Sequence, residues 1–169
     1  MSGPGVRIRP AAPRDAEAMT RIYNPYVTHT ATTFDLEPLP VAARRRWLEE
    51  LAPAGRRRCI VADAETAGVV GWVSSGRFRQ KAAYDPSVEA SIYLDPDWVG
   101  RGLGTRLYAA LFEALAGEDV HRVLAGITLP NEASVALHRR LGFREVGVLE
   151  EVGRKHGRWW SVLWMQRAL

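Results

Sequence analysis

Residues 89–108 read EASIYLDPDWVGRGLGTRLY. An alternating apolar run, Val88 to Leu94, leads into Gly100, Gly102 and Gly104. A helical pattern follows at once, with Leu103, Leu107, Leu111 and Leu115 on one face. A glycine-rich turn between strand and helix brings bare main-chain N–H groups to a helix N-terminus. Those groups and the helix dipole favour phosphate. The segment therefore predicts a phosphate-bearing ligand over Gly100, Arg101, Gly102, Leu103, Gly104 and Thr105. A tight turn or a glycine cap would leave the same local pattern.

Spacing removes two familiar phosphate motifs. A nucleotide P-loop needs lysine directly after its last glycine, and no lysine follows Gly104. The dinucleotide fingerprint needs a third glycine three residues after the second. That place holds Thr105 or Leu107, depending on which glycine pair starts the count.

What remains, VGRGLGT at 99–105, resembles the pyrophosphate loop of the GNAT acetyltransferases, Gln/Arg-x-x-Gly-x-Gly/Ala. Gly102 and Gly104 match, while Val99 stands where Gln or Arg is usual. A second segment, LPNEASVALHRRLGF at 129–143, is similar to the later GNAT motif of Asn, short helix and Gly-Phe. KHGRW at 155–159 and Tyr84-Asp85 complete a resemblance that runs from Ile8 to Gln166. Within the family it is similar to the phosphinothricin and methionine sulfoximine N-acetyltransferase branch.

Several side chains could carry chemistry. Strand alternation separates Glu89, Ser91 and Tyr93 from Val88, Ala90, Ile92 and Leu94. A carboxylate on a covered strand is costly unless paired or useful, so Glu89 reads as an ion-pair member or a base. The resemblance implies the general base. It also implies that the strand opens at Ile92, Tyr93 and Leu94, freeing main-chain groups for acetyl-CoA. Asn131 reads as a helix cap, and the resemblance adds a contact to the pantetheine arm. His138 stands where many GNAT members have a tyrosine that protonates the departing thiolate. A packed helix histidine is the plainer alternative, and Tyr108 reads as core. Arg79, Lys81 and Tyr84 match residues that hold acidic substrate groups in the branch, and Phe34 resembles an aromatic wall of that pocket. By themselves they would pass for a solvated basic loop.

The chain has 169 residues, 47% hydrophobic and 25% charged, which fits one domain spanning 1–169. Helical and strand patterns alternate mid-chain, with hairpin patterns elsewhere. That predicts an α/β fold with a mixed sheet and helices on both faces. The GNAT resemblance makes the sheet mostly antiparallel and splayed at the cofactor site. No apolar run reaches the length of a membrane helix and the start lacks a signal-peptide core, so a cytoplasmic protein is expected. The lone Cys59 lies in an apolar run and is expected buried. No group of metal ligands is predicted.

Net charge is +4. The arginine clusters 44–46 and 56–58 lack the aromatic interleaving of a nucleic-acid surface and read as solvated faces. Arg45 with Glu49, and Arg46 with Glu50, have helix-pair spacing.

Taken together, the expected activity is acetyl-CoA-dependent N-acetylation of a small glutamate-like amino acid. Another GNAT acceptor, such as a protein N-terminus or other small amine, is the competing reading. A non-catalytic CoA-binding module would not need Glu89. The family resemblance also implies a homodimer.

Overall fold

The computed structural model describes residues 5–169. The strands are β1 (Val6–Pro10), β2 (Arg58–Ala64), β3 (Gly68–Arg77), β4 (Ser87–Leu94), β5 (Arg122–Thr128), β6 (Arg144–Lys155) and β7 (Arg158–Ala168). The helices are α1 (Ala16–His29), α2 (Val41–Glu49), α3 (Leu103–Leu115) and α4 (Glu132–Arg140). Seven strands form one sheet in the order β1-β2-β3-β4-β5-β7-β6. Every neighbouring pair is antiparallel except β4 and β5. A parallel pair needs a crossover, and α3 supplies it.

Each face of the sheet is covered by helices. On one, Leu103, Leu107, Tyr108, Leu111 and Leu115 of α3 pack with Val88, Ala90, Val123 and Ala125. Val135 of α4 joins them. On the other, Met19, Ile22 and Val27 of α1 and Leu48 of α2 cover Val61 and Trp72. The expected fold class is what forms.

The parallel pair holds the feature that positions the site. β4 and β5 are in register only over Ser87–Glu89 and Arg122–Leu124. Beyond Glu89, β4 stays paired with β3 to Leu94, while β5 follows β7 to Thr128. The sheet therefore forks at Glu89 and leaves one edge of each strand open inside the molecule.

The second helix runs Val41–Glu49. The penultimate strand runs to Lys155 through two register irregularities because β7 keeps offering partners. The expected solvated face at 44–46 fails at Arg44, which is buried. Its guanidinium lies 4.8–5.1 Å from the rings of Tyr23, Trp47 and Trp72. Cation–π attraction, on the order of 1 kcal/mol per ring, offsets part of its desolvation. Neither expected pair, Arg45–Glu49 or Arg46–Glu50, is among the ion pairs of the described residues. Arg56 and Arg58 instead tie the turn before β2 to Asp119 and Glu118. Cys59 is buried, and desolvation pushes its thiol up to about 12, so it stays protonated.

Candidate active site

The fork is a cleft lined by Ala90, Ser91, Ile92 and Tyr93 of β4 and by Ala125, Gly126, Ile127 and Thr128 of β5. Thr32, Tyr108, Asn131, Ser134 and His138 complete it. The Asp95 N–H donates to the Val70 carbonyl at 2.9 Å, so residue 95 turns its main chain towards β3. On the other side, the Pro86 carbonyl accepts from the His121 N–H at 2.7 Å. Alternation then fixes the residues between. The N–H and carbonyl of Ile92 and the N–H of Leu94 face the cleft. The other two main-chain expectations narrow accordingly. Tyr93 turns its main chain to β3 and its ring to the aromatic layer of Tyr23, Tyr26 and Trp72. The Leu94 carbonyl already accepts from the Tyr26 hydroxyl at 2.6 Å.

The glycine turn lies at the C-terminal end of β4. Gly100 and Gly102 have φ of 80° and 76°, a region that suits glycine, and Gly102 caps α3. Nothing lies within 4 Å of where a Cβ would stand on either, so their outer side is bare. The first N–H groups of α3 have no partner within the helix and face outward there. Arg101 holds its guanidinium 4.7 Å above the Trp98 ring. Thr105 is exposed in the first turn, whereas the Leu103 side chain is core. Gly104 also packs: a Cβ there would lie 2.8 Å from Leu137 Cδ2, so a glycine here lets α4 approach α3.

Asn131 caps α4, its Oδ1 accepting from the Ser134 N–H at 3.2 Å. One turn on, His138 is buried with both nitrogens engaged. A carbonyl can only accept, so Nδ1–H donates to the Ser134 carbonyl at 2.7 Å. Nε2 is then the acceptor for the Tyr108 hydroxyl at 2.8 Å. Burial depresses the histidine pKa, and the Ser134 bond partly restores it. Sequence reasoning gave Tyr108 to the core. It is fully buried, and its hydroxyl also joins the cleft, which helical periodicity does not reveal.

Glu89 is half-buried at the fork and belongs to no ion pair among the described residues. Burial raises its pKa above the ordinary carboxylate value, and the charge of Arg79 opposes that. Arg79, Lys81 and Tyr84 come from the segment between β3 and β4, with Tyr84 46% exposed. Neither Arg79 nor Lys81 makes an ion pair among the described residues. Phe78, unmarked in the sequence, gathers Arg79 and Tyr84. Arg79 stacks 4.9 Å from its centroid, and Tyr84 and Trp164 meet it edge-on at 5.9 and 5.6 Å. Phe34 sits on the loop after α1, which also contributes Thr32 to the cleft.

A larger cavity, bounded by Arg56, Arg57, Arg77, Asp85 and Glu118, contains none of these residues. Most of its charges are already paired.

An Acetyltransferase (GNAT) domain model matches residues 6–144. The chain belongs to the GNAT acetyltransferases. It is 49% identical to a phosphinothricin N-acetyltransferase of Streptomyces coelicolor, over 97% of this chain and 96% of that protein. It is 36% identical to an L-methionine sulfoximine/L-methionine sulfone acetyltransferase of Pseudomonas aeruginosa, over 94% and 92%. A GNAT phosphinothricin acetyltransferase from Sinorhizobium meliloti, solved with acetyl-CoA, superposes with a TM-score of 0.89. It shares 32% identity, covering 97% of this chain and 88% of that one. This GNAT protein is an N-acetyltransferase with acetyl-CoA as its acetyl donor. The forked strand and the bare glycine turn fit a long, phosphate-bearing thioester. No described helix is long and apolar enough to cross a membrane.

Proposed function

We propose that this enzyme acetylates the amino group of a small glutamate-like amino acid, phosphinothricin or methionine sulfoximine. The carrying observation is Arg79, outside every ion pair of the described residues, held with Tyr84 against Phe78 and acting on the unpaired Glu89, with the equally unpaired Lys81 on the same segment. Two cations and a phenol suit a substrate with a carboxylate and a second acidic or strongly polar head. The same charges repel a cationic acceptor. The names of relatives at 49% and 36% identity support this substrate class.

Glu89 removes a proton from the substrate ammonium, directly or through water, and its raised pKa suits that task. The freed amine attacks the thioester carbon. The Ile92 N–H, free of any strand partner, polarises the carbonyl as negative charge grows on its oxygen. The leaving thiolate takes a proton from the Tyr108–His138 pair or from water. Burial disfavours a charged His138, so the pair first takes up the second proton that the attacking nitrogen sheds; Nδ1–H then stays on the Ser134 carbonyl while Tyr108 passes its hydroxyl proton to sulfur. The Nε2 proton replaces it, and His138 ends neutral. The N–H groups of Gly102 to Thr105 hold the pyrophosphate, and the Asn131 amide N–H reaches the pantetheine arm.

The apolar residues Val146, Val148, Leu149 and Val152 are exposed on edge strand β6. This supports a homodimer in which a second copy covers them. Light scattering checks it. A buried, unreactive Cys59 is compatible with work in the reducing cytoplasm.

A thiol-release screen with acetyl-CoA tests the acceptor. Phosphinothricin and methionine sulfoximine are expected to saturate the enzyme, while peptides with free N-termini and simple amines react poorly. Preferred turnover of a peptide overturns the substrate assignment.

A further inference from the structure

We propose that Gly153 sets the size of the acceptor pocket by leaving the seat on which Phe34 rests. This deepens the acceptor assignment above and depends on Phe34 lining that pocket. Gly153 lies in β6 opposite Trp160 of β7. A Cβ built on it would clash with the Phe34 ring at Cε2 and Cζ. Its φ lies outside the left-handed region, so the backbone at 153 would accept any residue. Space, and not conformation, is what requires glycine there.

The loop carrying Phe34 cannot simply retreat. Lys155, buried in the same hairpin, donates its Nζ to the Thr33 carbonyl at 2.7 Å. His156 Nε2 donates to the Thr30 carbonyl at 3.1 Å. From beneath, the Tyr23 hydroxyl meets Thr33 Oγ1 at 2.7 Å and Asp35 Oδ2 at 2.6 Å. Residues 30–35 are thus tied from two sides, and Phe34, 38% exposed, is the free member. A methyl group at 153 must therefore move the ring rather than the loop. Thr32 of the same loop already lines the cleft, so a displaced ring alters the acceptor side of the enzyme. The hairpin end at 153–156, distant in sequence from every residue assigned to the acceptor, becomes a determinant of its size.

Gly153→Ala, Phe34→Ala and the double variant, assayed against amino acids graded from glycine to phosphinothricin, decide the matter. Gly153→Ala should raise the KM of the bulkiest accepted substrate at least about tenfold relative to the smallest. The acetyl-CoA KM and Tm should hold. Phe34→Ala in the Gly153→Ala background should restore the bulky substrate, which a general loss of folding would not permit. An unchanged substrate ranking in Gly153→Ala, or no rescue by Phe34→Ala, overturns the proposal. If the wild type ignores phosphinothricin and methionine sulfoximine but uses other members, the acceptor assignment fails, and the ranking among those members still decides Gly153. A wild type that uses no member overturns both.

Discussion

The two sides of the fork are built from different material. On the proposed cofactor side, main chain does the work: Gly100 and Gly102 in left-handed conformation, the open edge of Ile92, the first N–H groups of α3. On the proposed acceptor side, side chains do it: Arg79 and Tyr84 against Phe78, Lys81 on the same segment, and Phe34 on Gly153. Main-chain sites need only a local conformation, which glycine spacing and strand periodicity encode within about twenty residues. Side-chain sites need contacts between segments far apart in sequence. The first kind suits a donor common to a whole family, and the second suits an acceptor that varies.

If the division holds, the largest effect belongs to the residue where the two sides meet. Glu89→Gln keeps the shape and removes the base, so kcat should fall about 10²–10⁴-fold with acetyl-CoA binding intact. Its acidic limb in kcat/KM should flatten, measured from pH 5 to 9. A near-normal rate would reduce Glu89 to a structural residue at the fork.

A smaller loss is expected on the cofactor side. Tyr108→Phe removes the hydroxyl bound to His138 Nε2, and kcat should fall by no more than about 10²-fold, since water can also protonate the thiolate. The KM of the acceptor should not follow. An acceptor KM that rises with it would place Tyr108 on the wrong side of the comparison.

The smallest effect is on stability, and its sign is informative. The folded pKa of Glu89 is raised, so above the ordinary carboxylate range the folded state carries a desolvated charge that the unfolded chain solvates. Glu89→Gln should therefore raise Tm by roughly 1–3 °C at pH 7.5. The gain should vanish as pH falls through the raised folded value to below the unfolded one, where the wild-type carboxyl is neutral in both states. Thermal denaturation at pH 4 and 7.5 checks this. A lower Tm for the variant at pH 7.5 would mean that the carboxylate is stabilised by its surroundings.

The same division explains what the sequence reveals. Strand, glycine turn and helix at 88–115 are legible because each is a local pattern, and so is the Asn131 cap. The contact of Gly104 with Leu137 on α4 joins distant segments, and glycine spacing does not reveal it. Tyr108 falls on the apolar stripe of α3, and periodicity says nothing of a hydroxyl that meets a histidine thirty residues away. Phe78 lies in a segment that reads as loop, and Gly153 and Lys155 lie in one that reads as the connection between two strands. Their roles appear only when β3, the loop after α1 and the β6–β7 hairpin are brought together. Arg44 misleads for the same reason: its neighbours Arg45 and Arg46 are solvated, while three rings from other elements enclose it.

The two sides are best separated by measuring both Michaelis constants in two variants side by side. Gly102→Val places a side chain where the main chain must approach pyrophosphate, and it should raise the acetyl-CoA KM sharply while sparing the acceptor KM. Arg79→Ala should do the reverse, raising the acceptor KM by about one to two decades through loss of a charge-assisted bond. Crossed effects of this kind are the result predicted for a main-chain donor site and a side-chain acceptor site meeting at Glu89. Folded variants in which both constants move together, or in which neither moves, would contradict it.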